Sequence, residues 1–350
     1  MTAMELVIIT LSVIGAAIAA VLIAVGVSGF MEARRIRLEP GLGDARMAVM
    51  TALSGGESTA DVVCAGLRGA AKRHIVGVML DLAPSVNGSS RSVLVNLGEK
   101  IGVLERARLG LRRHRWFTRL YSARILTAFG VESKHQGALL TDRSPDVRAQ
   151  AAAWSVIAPS RQAVELLIHL LEDADGLCRF AAQDALIRIG LPGTEPLLAA
   201  LELAEGESAG RILMVAAATG DEKFSHRAME LTTDGCPTTR ALAAAVLART
   251  GNPSAGPTLV AMLADPSDDV ILAAVTALAR LAYWPGAAGV ESLLSHSSWE
   301  MRRQAGMTLL ALGAPGAILL GVTARGDGPA AEMATQALEL RSLAVEAQPA

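Results

Sequence analysis

The sequence predicts an all-α protein: a right-handed α-solenoid of helical hairpins preceded by one transmembrane helix. Three observations predict it. An uncharged apolar run covers residues 6–27. Beyond that run, apolar residues recur at spacings of three and four, as they do on amphipathic helices. One pattern then returns in phase seven times, at steps of 29, 31, 30, 31, 31 and 31 residues.

The first element is the apolar run. Its 22 residues contain no charge, and at 1.5 Å per residue such a helix crosses a bilayer core of roughly 30 Å. Arg34, Arg35 and Arg37 follow it, whereas the five residues ahead of it hold no Lys or Arg. A cleaved signal would carry a basic start and a shorter apolar core, so the run is predicted to be an uncleaved anchor. The positive-inside rule places its C-terminal side in the cytoplasm and its N-terminus outside. Gly15 and Ala19 form a small-xxx-small pair of the kind that lets membrane helices approach closely. Three cysteines, Cys64, Cys178 and Cys236, are odd in number and lack metal-site spacing. Reduced thiols suit a cytosolic domain.

A juxtamembrane linker, residues 28–43, leads to a helical lead-in or N-terminal cap at 44–114. Candidate helices there cover residues 45–53, 58–68, 70–82, 89–97 and 98–113. The repeat array covers 115–345, and 346–350 form a tail.

The repeats are indexed on Arg119, Arg148, Arg179, Ala209, Arg240, Ile271 and Arg302. Three residues on stand Ser122, Ala151, Ala182, Ile212, Ala243, Ala274 and Ala305. A small residue there lets a neighbouring helix pack closely. Eleven residues on stand Gly130, Pro159, Gly190, Gly220, Gly251, Ala282 and Gly313, and Gly suits the left-handed conformation that ends a helix. Asp, Ser and Pro just before a unit, as in Asp142-Arg143-Ser144-Pro145 and Asp265-Pro266-Ser267-Asp268, favour helix starts. A second apolar helix lies between units, for example residues 163–171. Two helices per unit make an α-solenoid. Aromatic residues, at 3%, are too few for a β-rich domain.

The Asp-x-x-x-x-Val-Arg-x-x-Ala pattern followed by Gly resembles the short bacterial HEAT repeat, the type also found in phycobilisome lyases. The stretch 98–107, running into Arg115-Trp116, resembles a group of bacterial proteins with one N-terminal membrane helix, a helical lead-in and HEAT repeats. That group is often encoded beside membrane glycosyltransferases, so the resemblance implies a polysaccharide-forming membrane glycosyltransferase as partner.

Net charge is −2, but its distribution is uneven. Residues 31–130 hold 16 Lys/Arg against 8 Asp/Glu, and residues 131–350 hold 16 against 25. The basic excess gathers in Arg106, Arg108, Arg112, Arg113, Arg115, Arg119 and Arg124. On a continuous helix Arg108, Arg112, Arg115 and Arg119 fall on one stripe, with Trp116 and Phe117 inside it. Together with Arg34, Arg35 and Arg37, these residues are candidates for binding a partner or anionic lipid headgroups, beside the alternative of a solvated helix face. The repeats are too acidic, and aromatics too few, for nucleic acid.

Six scattered histidines form no metal motif, and neither a nucleophile turn nor a phosphate loop appears. His169, within an apolar helix, reads as a packed or snorkelling residue. No catalytic, cofactor-binding or metal-binding residue is predicted. The expected function is a membrane-anchored cytosolic scaffold for a protein partner in or at the membrane. The second helices of the units, near 149–154, 179–186, 240–247, 272–279 and 303–310, are expected to line the concave side. The alternative is a HEAT-like enzyme of lyase or isomerase type using that side.

Overall fold

The computed structural model describes residues 42–55, 62, 63, 65 and 69–346. The expected membrane helix, residues 6–27, lies outside them, as do Arg34, Arg35, Arg37, Cys64 and most of the candidate helix at 58–68. Among the described residues, no helix is long and apolar enough to cross a membrane. Those residues are all-α, and the chain divides into two compact units, Met1–Ser133 and Lys134–Ala350.

In the first unit, α1 covers residues 42–55. It is followed by α2 (Gly69–Leu82), α3 (Gly88–Lys100), α4 (Val103–Gly110) and α5 (Trp116–Phe129). Ile75, Met79, Leu94, Leu97, Leu104, Leu126 and Phe129 form its core. The helix expected over 98–113 is interrupted. Gly102 takes a left-handed φ of 69° between α3 and α4, and α4 stops at Gly110. Gly110 must stay bare, because a Cβ there would collide with the Ser122 hydroxyl on α5. Ser122 holds the small-residue position of the first indexed helix, so close packing begins within this unit.

The second unit is a run of hairpins. Its first helices are α6 (Gln136–Leu139), α8 (Arg161–Leu170), α10 (Thr194–Leu203), α12 (Ser225–Leu231), α14 (Gly256–Ala261), α16 (Ala287–Ser292) and α18 (Ala314–Thr323). Its second helices are α7 (Pro145–Ser155), α9 (Gly176–Ile189), α11 (Gly206–Thr219), α13 (Pro237–Thr250), α15 (Asp268–Arg280), α17 (Trp299–Ala311) and α19 (Pro329–Glu346). Pro145 and Pro237 occupy the first helical position, where their missing N–H costs nothing. Successive second helices pack directly on one another. Ala151, Ala182, Ala243, Ala274 and Ala305 are completely buried at those contacts, as their spacing predicts.

Five of the seven turns into a second helix, those into α7, α9, α13, α15 and α17, share one construction. The side chains of Asp142, Asp173, Asp234 and Asp265 accept the N–H two residues on, at 2.7–2.9 Å. His296 Nδ1 does the same for Ser298 at 3.1 Å. The indexed arginine then reaches back. Arg148 Nη1 donates to the Asp142 and Arg143 carbonyls at 2.8 and 3.3 Å. Arg179, Arg240 and Arg302 repeat this, and Arg119 does so in the first unit. A cation in a first helical turn opposes the helix dipole. Here the turn carbonyls accept its protons instead.

Two of these arginines also bind the following hairpin. Arg148 makes a two-pronged pair with Asp173, both contacts at 2.8 Å, and Arg240 pairs with Asp265 at 2.7 and 2.8 Å. All four side chains are largely buried. The guanidinium of Arg148 holds the Asp173 carboxyl below its usual range, and Arg240 does the same for Asp265.

Helix ends follow the expected glycine spacing. Gly130, Gly220 and Gly251 each have φ of 69°. Ala282 stands at the same position with φ of 49°, the one positive-φ residue other than Gly among the described residues. Left-handed backbone costs a side-chain-bearing residue about 1–2 kcal/mol, and glycine's extra chain entropy costs about 0.5–1 kcal/mol. Ala282→Gly is therefore expected to raise stability by about 0.5–1 kcal/mol in urea unfolding; a loss would contradict the strain at Ala282. Arg148→Ala removes a turn brace and an ion pair, with an expected cost of about 3–5 kcal/mol. Arg179→Ala removes a turn brace alone, since Leu203 stands where its aspartate would be, and is expected to cost about 1–3 kcal/mol. A depressed carboxyl stabilises fully above its unfolded value and loses that contribution as pH falls through the folded one. The gap between the two variants should thus shrink below about pH 4, which the same unfolding measured against pH will check.

Candidate functional site

Two surfaces concentrate exposed functional groups, one in each unit. The first is the turn into α5. Arg112, Arg113, His114, Arg115, Trp116 and Phe117 are six exposed residues in succession. The Trp116 and Phe117 rings meet edge to face at 6.3 Å, and the Arg115 guanidinium lies 5.8 Å from the Phe117 centroid. Tyr121, one helical turn on, is also exposed. From Arg106 to Val131 there is no acidic residue.

The predicted stripe of Arg108, Arg112, Arg115 and Arg119 does not form, because α4 and α5 are separate helices. Arg108 folds back onto Glu99, at 2.6 and 3.1 Å. Arg119 is spent on the Arg113 and His114 carbonyls, at 2.9 and 2.6 Å. Arg112, Arg115 and Trp116 remain as surface groups. Sequence reading placed Trp116 and Phe117 among the arginines but missed Tyr121, although it stands one helical turn beyond Phe117.

The second surface is the outward face of the second helices in the repeat unit. Counted from the indexed position, residues two before, five after and nine after face outward. The row two before holds Asp146, Leu177, Glu207, Thr238, Asp269 and Glu300, all exposed. The row nine after holds Ile157, Arg188, Ala218, Arg249, Arg280 and Ala311, its three arginines exposed. Between them run Ala153, Asp184, Met214, Ala245, Thr276 and Met307. One edge of this face is therefore acidic, the other basic and the middle largely apolar. Part of this charge order complements the helix dipoles, acids at N-termini and arginines at C-termini.

Across α11, α13 and α15 this face sinks into an open depression of about 350 Å³. Ala217, Ala245, Leu272 and Ala273 floor it, with Arg249, Arg280 and Asp269 at the rim. None of these three charged groups has an ion-pair partner among the described residues. The apolar floor and unpaired rim can hold a segment that carries an apolar side chain beside a charged one. Extending the repeat index by nine residues would have found the arginine row.

Cys178 is buried, and its Sγ donates to the Pro145 carbonyl at 3.2 Å. Thr239 makes the equivalent link one hairpin pair later, to the Gly206 carbonyl at 2.7 Å. Burial pushes the Cys178 thiol up to about 11. Cys236 is half-buried at the start of α13, where hydrogen bonds from Thr239 and Thr238 lower its pKa. His169 is exposed on α8. Among the described residues, no group of three His, Cys, Asp or Glu could hold a metal ion.

The family model for HEAT repeats matches residues 194–279, the stretch that carries the depression. Among solved structures, the Kap95:Nup1 complex aligns with a TM-score of 0.52 at 11% identity, over 81% of this chain and 48% of that one. Importin beta aligns at 0.50 and 13%, over 79% and 48%. The CpcE–CpcF complex of phycocyanin lyase from Nostoc sp. PCC7120 gives 0.33 and 19%, over 62% and 92%. The chain spans about half the length of the importin-type chains it matches. Comparison with curated proteins yields no match. At these identities the likeness to the importin-type chains shows a fold of helical repeats.

The two described thiols should differ in reactivity. Thiolate is the reacting form, so a maleimide at neutral pH should label Cys236 well before Cys178, as followed by peptide mass spectrometry. Equal rates would contradict the buried, donating Cys178.

Proposed function

We propose that the protein is a non-catalytic scaffold, held at the cytoplasmic face of the membrane by residues 6–27, that binds a protein partner along its second-helix face. The carrying observation is the charge-edged face with its open apolar depression. Arg249, Arg280 and Asp269 meet solvent at its rim without an ion-pair partner among the described residues, and a partner can satisfy them. An open surface suits the grip of a polypeptide better than the enclosure that chemistry on a small substrate needs. Solenoid repeats supply such extended surfaces.

The partner is an integral or membrane-associated protein, with a polysaccharide-forming membrane glycosyltransferase as the named candidate. The uncharged run at residues 6–27 and its Arg34, Arg35 and Arg37 flank support a single pass with the N-terminus outside and the repeats in the cytosol. No cofactor or nucleic acid enters this reading.

Affinity capture of the tagged full chain from detergent extract tests it. The wild type should retain a membrane protein, and Arg249→Glu with Arg280→Glu should weaken that retention at least about tenfold. Retention of soluble proteins alone, or equal retention by the variant, would refute the assigned face. A reporter joined after Ala350 should be active only in the cytoplasm; activity outside would overturn the orientation.

A further inference from the structure

We propose that the turn at residues 112–117 is an interfacial foot that rests on anionic lipid headgroups. This rests on the reading of residues 6–27 as a membrane anchor. Three observations carry it. The first is charge: residues 106–131 contain seven arginines and no acid. Arg108 and Arg119 are consumed internally, whereas Arg112 and Arg113 are exposed and have no carboxylate partner among the described residues. Basic groups close to a bilayer are drawn to the anionic leaflet.

The second observation is aromatic. The whole chain has five Phe, four Trp and two Tyr, and three of these eleven stand exposed together. Trp116, Phe117 and Tyr121 are 47%, 51% and 52% exposed. Exposed rings beside arginines fit the headgroup boundary, where an apolar body meets a polar tip. An acidic protein surface would satisfy the arginines and leave these rings in water.

The third is reach. Residues 28–41 separate the apolar run from α1, and fourteen residues extend at most about 50 Å. The foot lies in the same compact unit as α1, which begins where that linker ends. Arg34, Arg35 and Arg37 add charge of the same sign along it. Tether and foot together would fix the first unit against the leaflet at two points rather than one.

The test uses the full chain in bilayer discs with brominated acyl chains, which quench tryptophan that enters the lipid. Trp284 and Trp299, both exposed, are replaced by Phe. Buried Trp154 then reports the fold and Trp116 reports the foot. Discs of equal parts phosphatidylcholine and phosphatidylglycerol should quench Trp116, and discs of phosphatidylcholine alone should not. Arg112→Gln, Arg113→Gln and Arg115→Gln together should abolish the quenching, and high salt should weaken it. Trp116→Phe should remove the quenchable signal and leave that of Trp154. A chain retained in anionic discs with Trp116 unquenched would overturn the foot and leave the anchor standing. Equal quenching in neutral discs would overturn the role of the arginines. A chain that leaves the discs altogether would overturn the anchor, and with it the foot.

Discussion

In every hairpin that keeps an arginine at the indexed position, that residue turns back and donates to the two carbonyls at the start of its own turn. In the repeat unit an aspartate beside it, or in one turn His296, accepts the N–H two residues on. This small closed circuit fixes how α7, α9, α13 and α17 leave their turns. Without it, the carbonyls before the helix would need other donors, since buried backbone groups are rarely left unpaired. Close packing of the second helices through alanine faces depends on that exit direction. A helix pointed a few degrees off could not bring Ala182 or Ala243 into full burial against its neighbours.

Two of these arginines also tie successive hairpins together. Arg148 with Asp173, and Arg240 with Asp265, bridge one turn to the next. Between α9 and α11 the bridge is missing: Leu203 and Ala209 replace the acid and the base of that turn. There the second helices touch far less than elsewhere in the unit. Other groups take over. Arg211 pairs with Glu172 across it, and α8 packs on α10. The seam is thus tied from exposed side chains and from the first-helix layer.

Much of the repeat fold was legible because it rests on residue size and backbone conformation. Small residues three along and glycines eleven along report directly on helix contact and helix ending, and both recur often enough to set a register. The work of the indexed arginine was hidden, since a lone Arg in a first helical turn carries no sign of the carbonyls it will meet. The arginine stripe failed for a related reason. A register projected along a continuous helix could not anticipate the break at Gly102 or the stop at Gly110. Trp116 and its arginine neighbours were found in sequence, and structure alone separated the free ones from Arg108 and Arg119. On the repeat face, the alternation of acidic and basic rows needed the exposure pattern before it could be read.

In the proposed function, the two exposed surfaces divide the work of a scaffold. A basic, aromatic turn in the first unit suits a lipid boundary, while the charge-edged face of the second helices suits a polypeptide. Both depend on hairpins that keep their spacing, and so on the arginine circuit and its bridges. A double-mutant cycle between Arg240 and Asp265, measured by equilibrium unfolding at neutral pH, tests that dependence most directly. A coupling energy of at least about 1.5 kcal/mol is predicted for such a close, desolvated pair. A coupling near zero would show that the hairpins are held by their apolar faces alone and would contradict the account.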